Sequence, residues 1–169
     1  MIRAAFPGSF DPPTLGHLNI IQRAAAVFDE VTVVVAENRR KKYLFSAEER
    51  LDLVSRLAAP WKNVSAALCR GLVVDFLKER EIPVLIRGIR GIGDFSHEFE
   101  LSLMNRALNP AVETVFFTTD QRYVVIHSSA IKEIASFGGD VSAMVPPAVA
   151  RALEAKSRPG SPAGLDPAG

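Results

Sequence analysis

Residues 7–17, near the start of the chain, combine two glycines, two hydroxyl side chains and a histidine. The segment follows a short apolar run that predicts a buried strand, and it leads into a helical pattern. Ser9 and Thr14 supply the hydroxyl groups. His17 falls in the first turn of the predicted helix, where free backbone N–H groups and the helix dipole favour an anion. The segment predicts a phosphate-binding loop; the alternative is a tight turn with His17 on the surface.

A second candidate phosphate contact follows the fourth apolar run, where Arg87 and Arg90 stand beside glycines. A guanidinium group can grip two phosphate oxygens at once, and neighbouring glycines leave the approach open. These residues predict an anion site at the end of the strand. The alternative is that both arginines only pair with Asp94 and Glu98 on the next helix.

Two further loops carry groups that suit phosphate. In segment 123–129 we expect Ser128 and Ser129 to cap the following helix, and capping hydroxyls with the first backbone N–H groups also bind phosphate. The basic run 39–42 follows the second strand, and its ordinary role is a solvated loop. Because four separate loops at one edge of a sheet carry such groups, the sequence favours a polyphosphate site.

Alternating strands and helices must position these loops. Short apolar runs predict five buried strands, and the segments between them show helical periodicity. Such alternation is typical of a parallel sheet whose ligands bind at the carboxyl ends of its strands. We therefore expect an α/β, Rossmann-like, doubly wound five-stranded parallel sheet flanked by helices, with a C-terminal helix. The predicted strands are 2–6, 31–36, 64–68, 84–86 and 113–118, and the predicted helices are 17–28, 47–57, 72–80, 94–108, 130–137 and 145–156.

Length and composition indicate one domain. The chain has 169 residues and a formal net charge of +1. One core is predicted over residues 1–156, and the Pro- and Gly-rich segment 157–169 is predicted to be a flexible tail. The balanced charge predicts no binding to nucleic acid or to an acidic membrane surface. No leader pattern and no membrane-length apolar run is found, which predicts a cytoplasmic location.

Other ligand motifs do not match the sequence. No G-x-x-x-x-G-K-[ST] loop is present, and the glycines of segment 88–93 are wrongly spaced for G-x-G-x-x-G. The three histidines, His17, His97 and His127, have no partners at metal-site spacing, and neither has Cys69. We therefore expect no metal ligands from the protein.

The predicted helix 94–108 carries two apolar stripes. Phe95, Phe99 and Leu103 form one, and Leu101, Met104 and Leu108 form the other. A helix that is apolar on two faces predicts one face packed on the sheet and one on a neighbouring subunit.

Three stretches of the sequence together resemble bacterial phosphopantetheine adenylyltransferases. They are FPGSFDPPTLGH, which holds a T-x-G-H variant of the HIGH motif, LIRGIRGIGDFSHEFELSLMNRALNP and HSSAIKEIASFGGDVSAMVPPAV. The T-x-G-H motif alone would identify only the nucleotidyltransferase superfamily. The resemblance implies adenylyl transfer from ATP to 4'-phosphopantetheine, giving dephospho-coenzyme A and pyrophosphate. It also implies Mg²⁺ carried by the ATP phosphates, a homohexamer, and coenzyme A as a feedback ligand.

The resemblance also assigns roles by position. The implied catalytic residues are His17, Lys41 and Arg90, and the implied phosphopantetheine contacts are Ser9, Lys41, Val73 and Arg87. The implied ATP-binding residues are Ser9, Phe10, His17, Gly88, Ile89, Arg90, Glu98, Tyr123, Val124, Val125, Ile126, His127, Ser128 and Ser129. Two positions depart from the family: His127 stands where a serine is usual, and Ser9 replaces the threonine of many relatives.

An acceptor phosphate is already an anion, so the expected reaction needs no protein nucleophile. Positioning and charge stabilisation must then carry the rate. A neutral His17 that donates an N–H to the transition state would suffice. Two alternatives stay open: a related nucleotidyltransferase acting on nicotinamide mononucleotide or an alcohol phosphate, and a noncatalytic nucleotide sensor.

Overall fold

The computed structural model describes residues 1–157, which form a five-stranded parallel sheet flanked by helices. The strand order is 3-2-1-4-5, and every neighbouring pair is parallel. The predicted fold class is confirmed. The strands are β1 (Arg3–Gly8), β2 (Glu30–Ala36), β3 (Val64–Cys69), β4 (Val84–Ile89) and β5 (Glu113–Thr118). The helices are α1 (Leu15–Val27), α2 (Ala47–Ala58), α3 (Val73–Glu79), α4 (Ile92–Leu108), α5 (Ser128–Ser136) and α6 (Pro147–Ser157).

The central strands β1 and β2 are buried on both faces of the sheet, as their continuous apolar runs predict. Val33 and Val35 of β2 pack with α1 residues such as Ile20, whereas Val34 between them packs on the other face with Leu77 of α3. A third apolar cluster joins α2, α5 and α6. Helix α5 is therefore held against the body of the molecule independently of the sheet.

The topological switch point lies between β1 and β4, which are neighbours at the centre of the sheet. From this point the chain continues toward opposite edges of the sheet, so the loops after β1 and β4 diverge and leave a crevice. Helix α1 packs closely against the end of β4. A Cβ atom at Gly88 would collide with Cδ1 of Ile20, which explains the need for glycine there.

Several element boundaries differ from the predicted ones. Strand β4 extends to Ile89, so Arg87 is a strand residue rather than a loop residue. Helix α1 begins at Leu15, which places His17 at its third position. The helix predicted from residue 145 begins at Pro147 and ends at Ser157, and residues 158–169 of the predicted tail lie outside the described residues.

Helix α4 differs most from expectation. We predicted that one of its apolar stripes packs on the sheet, but the helix has no buried residue. It contacts the sheet through Phe95, whose ring meets Phe116 of β5 at 5.6 Å between centroids. Phe99, Leu103 and Met104 are about half exposed.

Candidate active site

The loop after β1 is tied to the start of α1 by a reciprocal cap between Thr14 and His17. The Thr14 hydroxyl accepts a hydrogen bond from the backbone N–H of His17 at 3.3 Å. In return, the backbone N–H of Thr14 donates to Nδ1 of His17 at 3.0 Å. This is a capping box in which histidine takes the place of the usual glutamate or glutamine. The T-x-G-H spacing thus fixes the ring as well as the helix start.

This cap also fixes the protonation of His17. Because Nδ1 accepts the Thr14 N–H, the proton of the neutral ring lies on Nε2. Burial, followed by the positive charge of Arg90, lowers the pKa of His17 from 6.5 to about 4. The ring packs edge-on against Phe10, with 5.0 Å between centroids. At neutral pH, His17 is therefore an uncharged donor through Nε2.

Asp11 organises the loop after β1 from the inside. Its carboxylate is buried and accepts hydrogen bonds from the backbone N–H groups of Leu44 and Phe45. It also pairs with Lys132 of α5 at 2.8 Å. Three separate segments are thus joined at one carboxylate. Sequence reasoning missed Asp11 and Lys132; the only signal for Lys132 was its place one helical turn after Ser128.

The two arginines of the β4 loop are held by carboxylates of α4. Nε and Nη2 of Arg87 donate to the two oxygens of Glu98 at 2.5 and 2.6 Å. Nε of Arg90 donates to Asp94 at 2.7 Å, and Nη1 of Arg90 donates to Nδ1 of His127. The hydrogen bonds from Arg90 lower the pKa of Asp94. Both arginines therefore pair with carboxylates of α4, and Arg90 also contacts His127 of segment 123–129.

The predicted capping role of Ser128 is wrong. Helix α5 begins at Ser128 itself, and its N-cap residue is His127, whose side chain makes no capping hydrogen bond. The Ser128 hydroxyl instead donates to the carbonyl of Pro12 at 2.9 Å, because the loop after β1 lies directly against this helix end. The first turn of α5 is therefore fastened to the phosphate-binding loop.

Two adjoining cavities open at this edge of the sheet. The larger measures about 370 Å³ and the smaller about 190 Å³. His17, Ser128 and Ser129 line both cavities, so they form the boundary between them. The larger cavity is also lined by Arg87, Gly88, Arg90, Thr119, Tyr123, Ile126 and His127, and the smaller by Ser9, Phe10, Asp11, Lys41, Lys42, Tyr43 and Lys132. All four loops singled out in the sequence contribute residues to these two cavities.

Some expected site residues lie away from these cavities. Val125 is 80% exposed, and neither it nor Val124 lines either cavity. Val73 packs on the apolar cluster beneath α3. Ile89 and Glu98 are also outside both linings, and Glu98 reaches the site only through Arg87.

Residues 1–157 contain no grouping of three or more His, Cys, Asp or Glu side chains suited to a metal ion. Within the same range, every helix is too short or too polar for a membrane span.

Comparison with known proteins identifies the family. The cytidylyltransferase-like family model matches residues 5–134, which include β2 to β5 and most of β1. A phosphopantetheine adenylyltransferase of Streptomyces coelicolor is 48% identical over 158 residues, covering 94% of this chain and 99% of the relative. The chain belongs to the phosphopantetheine adenylyltransferase family. Its relative of the same name from Clostridium tetani is 50% identical over 143 residues, covering 85% of this chain and 89% of the relative.

A solved structure supports the fold of this family member. A putative nicotinate-nucleotide adenylyltransferase from Vibrio parahaemolyticus superposes with a TM-score of 0.69, covering 93% of this chain and 94% of the other. At 18% identity, this likeness concerns the fold alone. The resemblance drawn from the T-x-G-H motif and its companion segments is confirmed by the family match.

Proposed function

We propose that this chain transfers the adenylyl group of ATP to 4'-phosphopantetheine, producing dephospho-coenzyme A and pyrophosphate. Membership of the phosphopantetheine adenylyltransferase family supports the substrates. The observation that carries the chemistry is the position of His17, an uncharged N–H donor on the boundary between two adjoining cavities. Groups bound in the two cavities meet beside this ring.

The reaction is a direct displacement at the α-phosphorus. An oxygen of the acceptor phosphate forms a new bond to this phosphorus, and the bond to the oxygen bridging the α- and β-phosphates breaks. Pyrophosphate leaves with that electron pair, so the enzyme forms no covalent intermediate. Nε2–H of His17 donates to a non-bridging oxygen of the α-phosphate. Lys41 and Arg90 offset the negative charge that develops on the transferred and leaving groups.

Neutral His17 suits this role better than a charged one. A general base is unnecessary, because the acceptor phosphate is an anion at pH 7. An imidazole with a pKa of about 4 keeps its Nε2 proton as a fixed hydrogen-bond donor throughout the physiological range. Such preorganised donors accelerate reactions because they need no reorientation at the transition state.

We expect Mg²⁺ to enter on the phosphates of ATP, as in other phosphoryl-transfer sites. The donor set around the cavities fits this arrangement. His17, Lys41, Arg87 and Arg90 are all hydrogen-bond donors that suit phosphate oxygens rather than a cation. When bound, the ion would neutralise charge on the triphosphate.

The test of this function is pyrophosphate release with ATP and a panel of acceptors. Release with 4'-phosphopantetheine but not with nicotinamide mononucleotide or an alcohol phosphate is the expected result. A higher kcat/KM with either of the other acceptors would show that this acceptor, and not 4'-phosphopantetheine, is the substrate. ATP binding without turnover of any acceptor would instead indicate a nucleotide sensor.

The proposal extends to assembly, regulation and location. Helix α4 exposes six large apolar side chains, an unusual density for a surface that meets only water. This face supports the homohexamer implied by the family resemblance, and sedimentation velocity would test it. Coenzyme A as a feedback ligand and the cytoplasmic location are further expectations. The exposed apolar residues are Ile92, Phe95, Phe99, Leu103, Met104 and Leu108.

A further inference from the structure

Arg50 of α2 is a fully buried arginine behind the smaller cavity. Its exposed fraction is 0%, and no carboxylate within residues 1–157 pairs with it. Nη1 donates to the carbonyl of Ser9 at 2.7 Å and to that of Ala36 at 3.2 Å. Nε and Nη2 have no hydrogen-bond partner among the described residues. Since burying an unpaired charge is costly, a neutral side chain would serve the core better unless this residue has a positioning task.

The two carbonyls that Arg50 holds belong to different site loops. Ser9 follows β1 and lines the smaller cavity, whereas Ala36 ends β2 and begins the segment that carries Lys41. A single nitrogen thus sets the separation of the two loops. Both loops line the smaller cavity, so this separation also sets its width.

Tyr43 fastens the other end of the Lys41 segment. Its ring lies over the Arg50 guanidinium at 4.0 Å from Cζ to the ring centroid, close enough for a cation–π contact. Its hydroxyl accepts the backbone N–H of Asn38 at 2.8 Å. The turn between them is closed by the N–H of Lys41, which donates to the carbonyl of Asn38 at 2.9 Å. The segment from Asn38 to Tyr43 is therefore a loop closed at its base, with Lys41 inside it.

We propose that Arg50 and Tyr43 are positioning residues that together hold Lys41 against the Ser9 side of the smaller cavity. Neither residue needs to touch a substrate. Arg50 holds the start of this segment through the carbonyl of Ala36. Tyr43 holds its end, because the Tyr43 ring lies over the same guanidinium. The inference rests on the proposed function for the role of Lys41, but the loop closure itself is independent of it.

A double-mutant cycle tests whether Tyr43 acts through Lys41. Tyr43→Phe keeps the ring over Arg50 and removes only the acceptor for Asn38, so we expect kcat/KM for phosphopantetheine to fall roughly two- to tenfold. Tyr43→Leu removes the ring as well and should have a larger effect. In a Lys41→Ala background the effect of Tyr43→Phe should vanish. Equal effects in both backgrounds would overturn the proposal, because they would show that Tyr43 does not act through Lys41.

A control arginine outside the site tests whether the effect on KM is specific to Arg50. Arg80 also stacks on an aromatic ring, that of Phe76, at 4.2 Å, but it lies at the end of α3 and lines neither cavity. Arg80→Lys should leave kcat and both KM values unchanged, whereas Arg50→Lys should raise the KM for phosphopantetheine. Thermal unfolding of each variant shows whether a change in KM or kcat comes from a loss of folded protein.

Hydrogen exchange provides a readout that does not depend on activity. The backbone N–H groups of Asn38 and Lys41 should exchange faster in Tyr43→Phe, and faster still in Tyr43→Leu, with no change in β1. Unchanged exchange in both variants would overturn the loop closure. If the wild-type chain releases no pyrophosphate but exchange changes as expected, the proposed function fails while the closure by Tyr43 stands.

Discussion

Lowering the pH from 7 to 5 should destabilise this protein through His17, and a single substitution isolates the effect. The pKa of His17 is about 4 in the folded chain, against 6.5 for the free side chain. In the unfolded chain the ring therefore gains a proton as the pH falls through 6.5, whereas the folded ring stays neutral until about pH 4. The stability that this group contributes is complete above pH 6.5 and is lost progressively below it.

The size of the effect follows from the two pKa values. Between pH 7 and pH 5, the unfolded ring becomes almost fully protonated while the folded ring hardly changes, which costs about 2 kcal/mol of unfolding free energy. The physical causes are the burial of the ring and the nearby positive charge of Arg90. The hydrogen bond from the Thr14 N–H also needs an unprotonated Nδ1.

His17→Gln is the matched variant, because glutamine at this position keeps the Thr14-x-x-Gln pattern of a capping box and does not titrate. Urea denaturation at pH 7 and pH 5, followed by circular dichroism, gives four free energies of unfolding. The wild type should lose about 2 kcal/mol more than the variant between the two pH values. Contributions from the other side chains are common to both proteins and cancel. Equal losses would refute the neutral state of His17 in the folded chain.

Three further predictions concern activity, and the third also concerns stability. His17→Ala should lower kcat by roughly 10²- to 10³-fold at saturating substrates, since it removes a preorganised donor; a kcat within threefold of wild type contradicts this role. EDTA should abolish pyrophosphate release and Mg²⁺ should restore it, while urea denaturation of the nucleotide-free protein stays unchanged; activity that survives chelation excludes the proposed ion. Gly88→Ala should cost about 1–3 kcal/mol of stability and raise the KM for ATP, because the new Cβ collides with Ile20. Gly91→Ala, where a Cβ meets nothing within 4 Å, is its control.

The sequence predicted the sheet and the convergence of its loops because both depend on local patterns. Buried runs such as that of β2 define strands, and the rule for parallel sheets then places the following loops at one edge. The T-x-G-H spacing also implied the first turn of α1, where His17 lies. These parts of the site depend on residues that are close in sequence or on the general topology of the fold.

The contacts that unite the site depend on residues far apart in the chain. Asp11 and Lys132 are separated by 121 positions, and no local pattern indicates that they pair. Ser128 looked like a cap because its neighbours are helical, but the carbonyl of Pro12 lies nearby and accepts its hydroxyl instead. Arg50 stood in an ordinary amphipathic helix, and only the folded structure shows that its guanidinium is buried.

The charges of the site are arranged so that it can attract phosphate while its arginine side chains are already ordered. Arg87 uses Nε and Nη2 for Glu98, which fixes the plane of the guanidinium, while Nη1 makes only a long contact of 3.5 Å to the carbonyl of Pro7. A carboxylate held in this way weakens the attraction for an incoming anion. The ion pair also orders the Arg87 side chain in advance, so less conformational entropy is lost when an anion binds. Lys41, which is exposed on another loop of the site, retains its attraction for the anion. Lysine therefore supplies most of the attraction for phosphate, whereas the paired arginine supplies a fixed orientation.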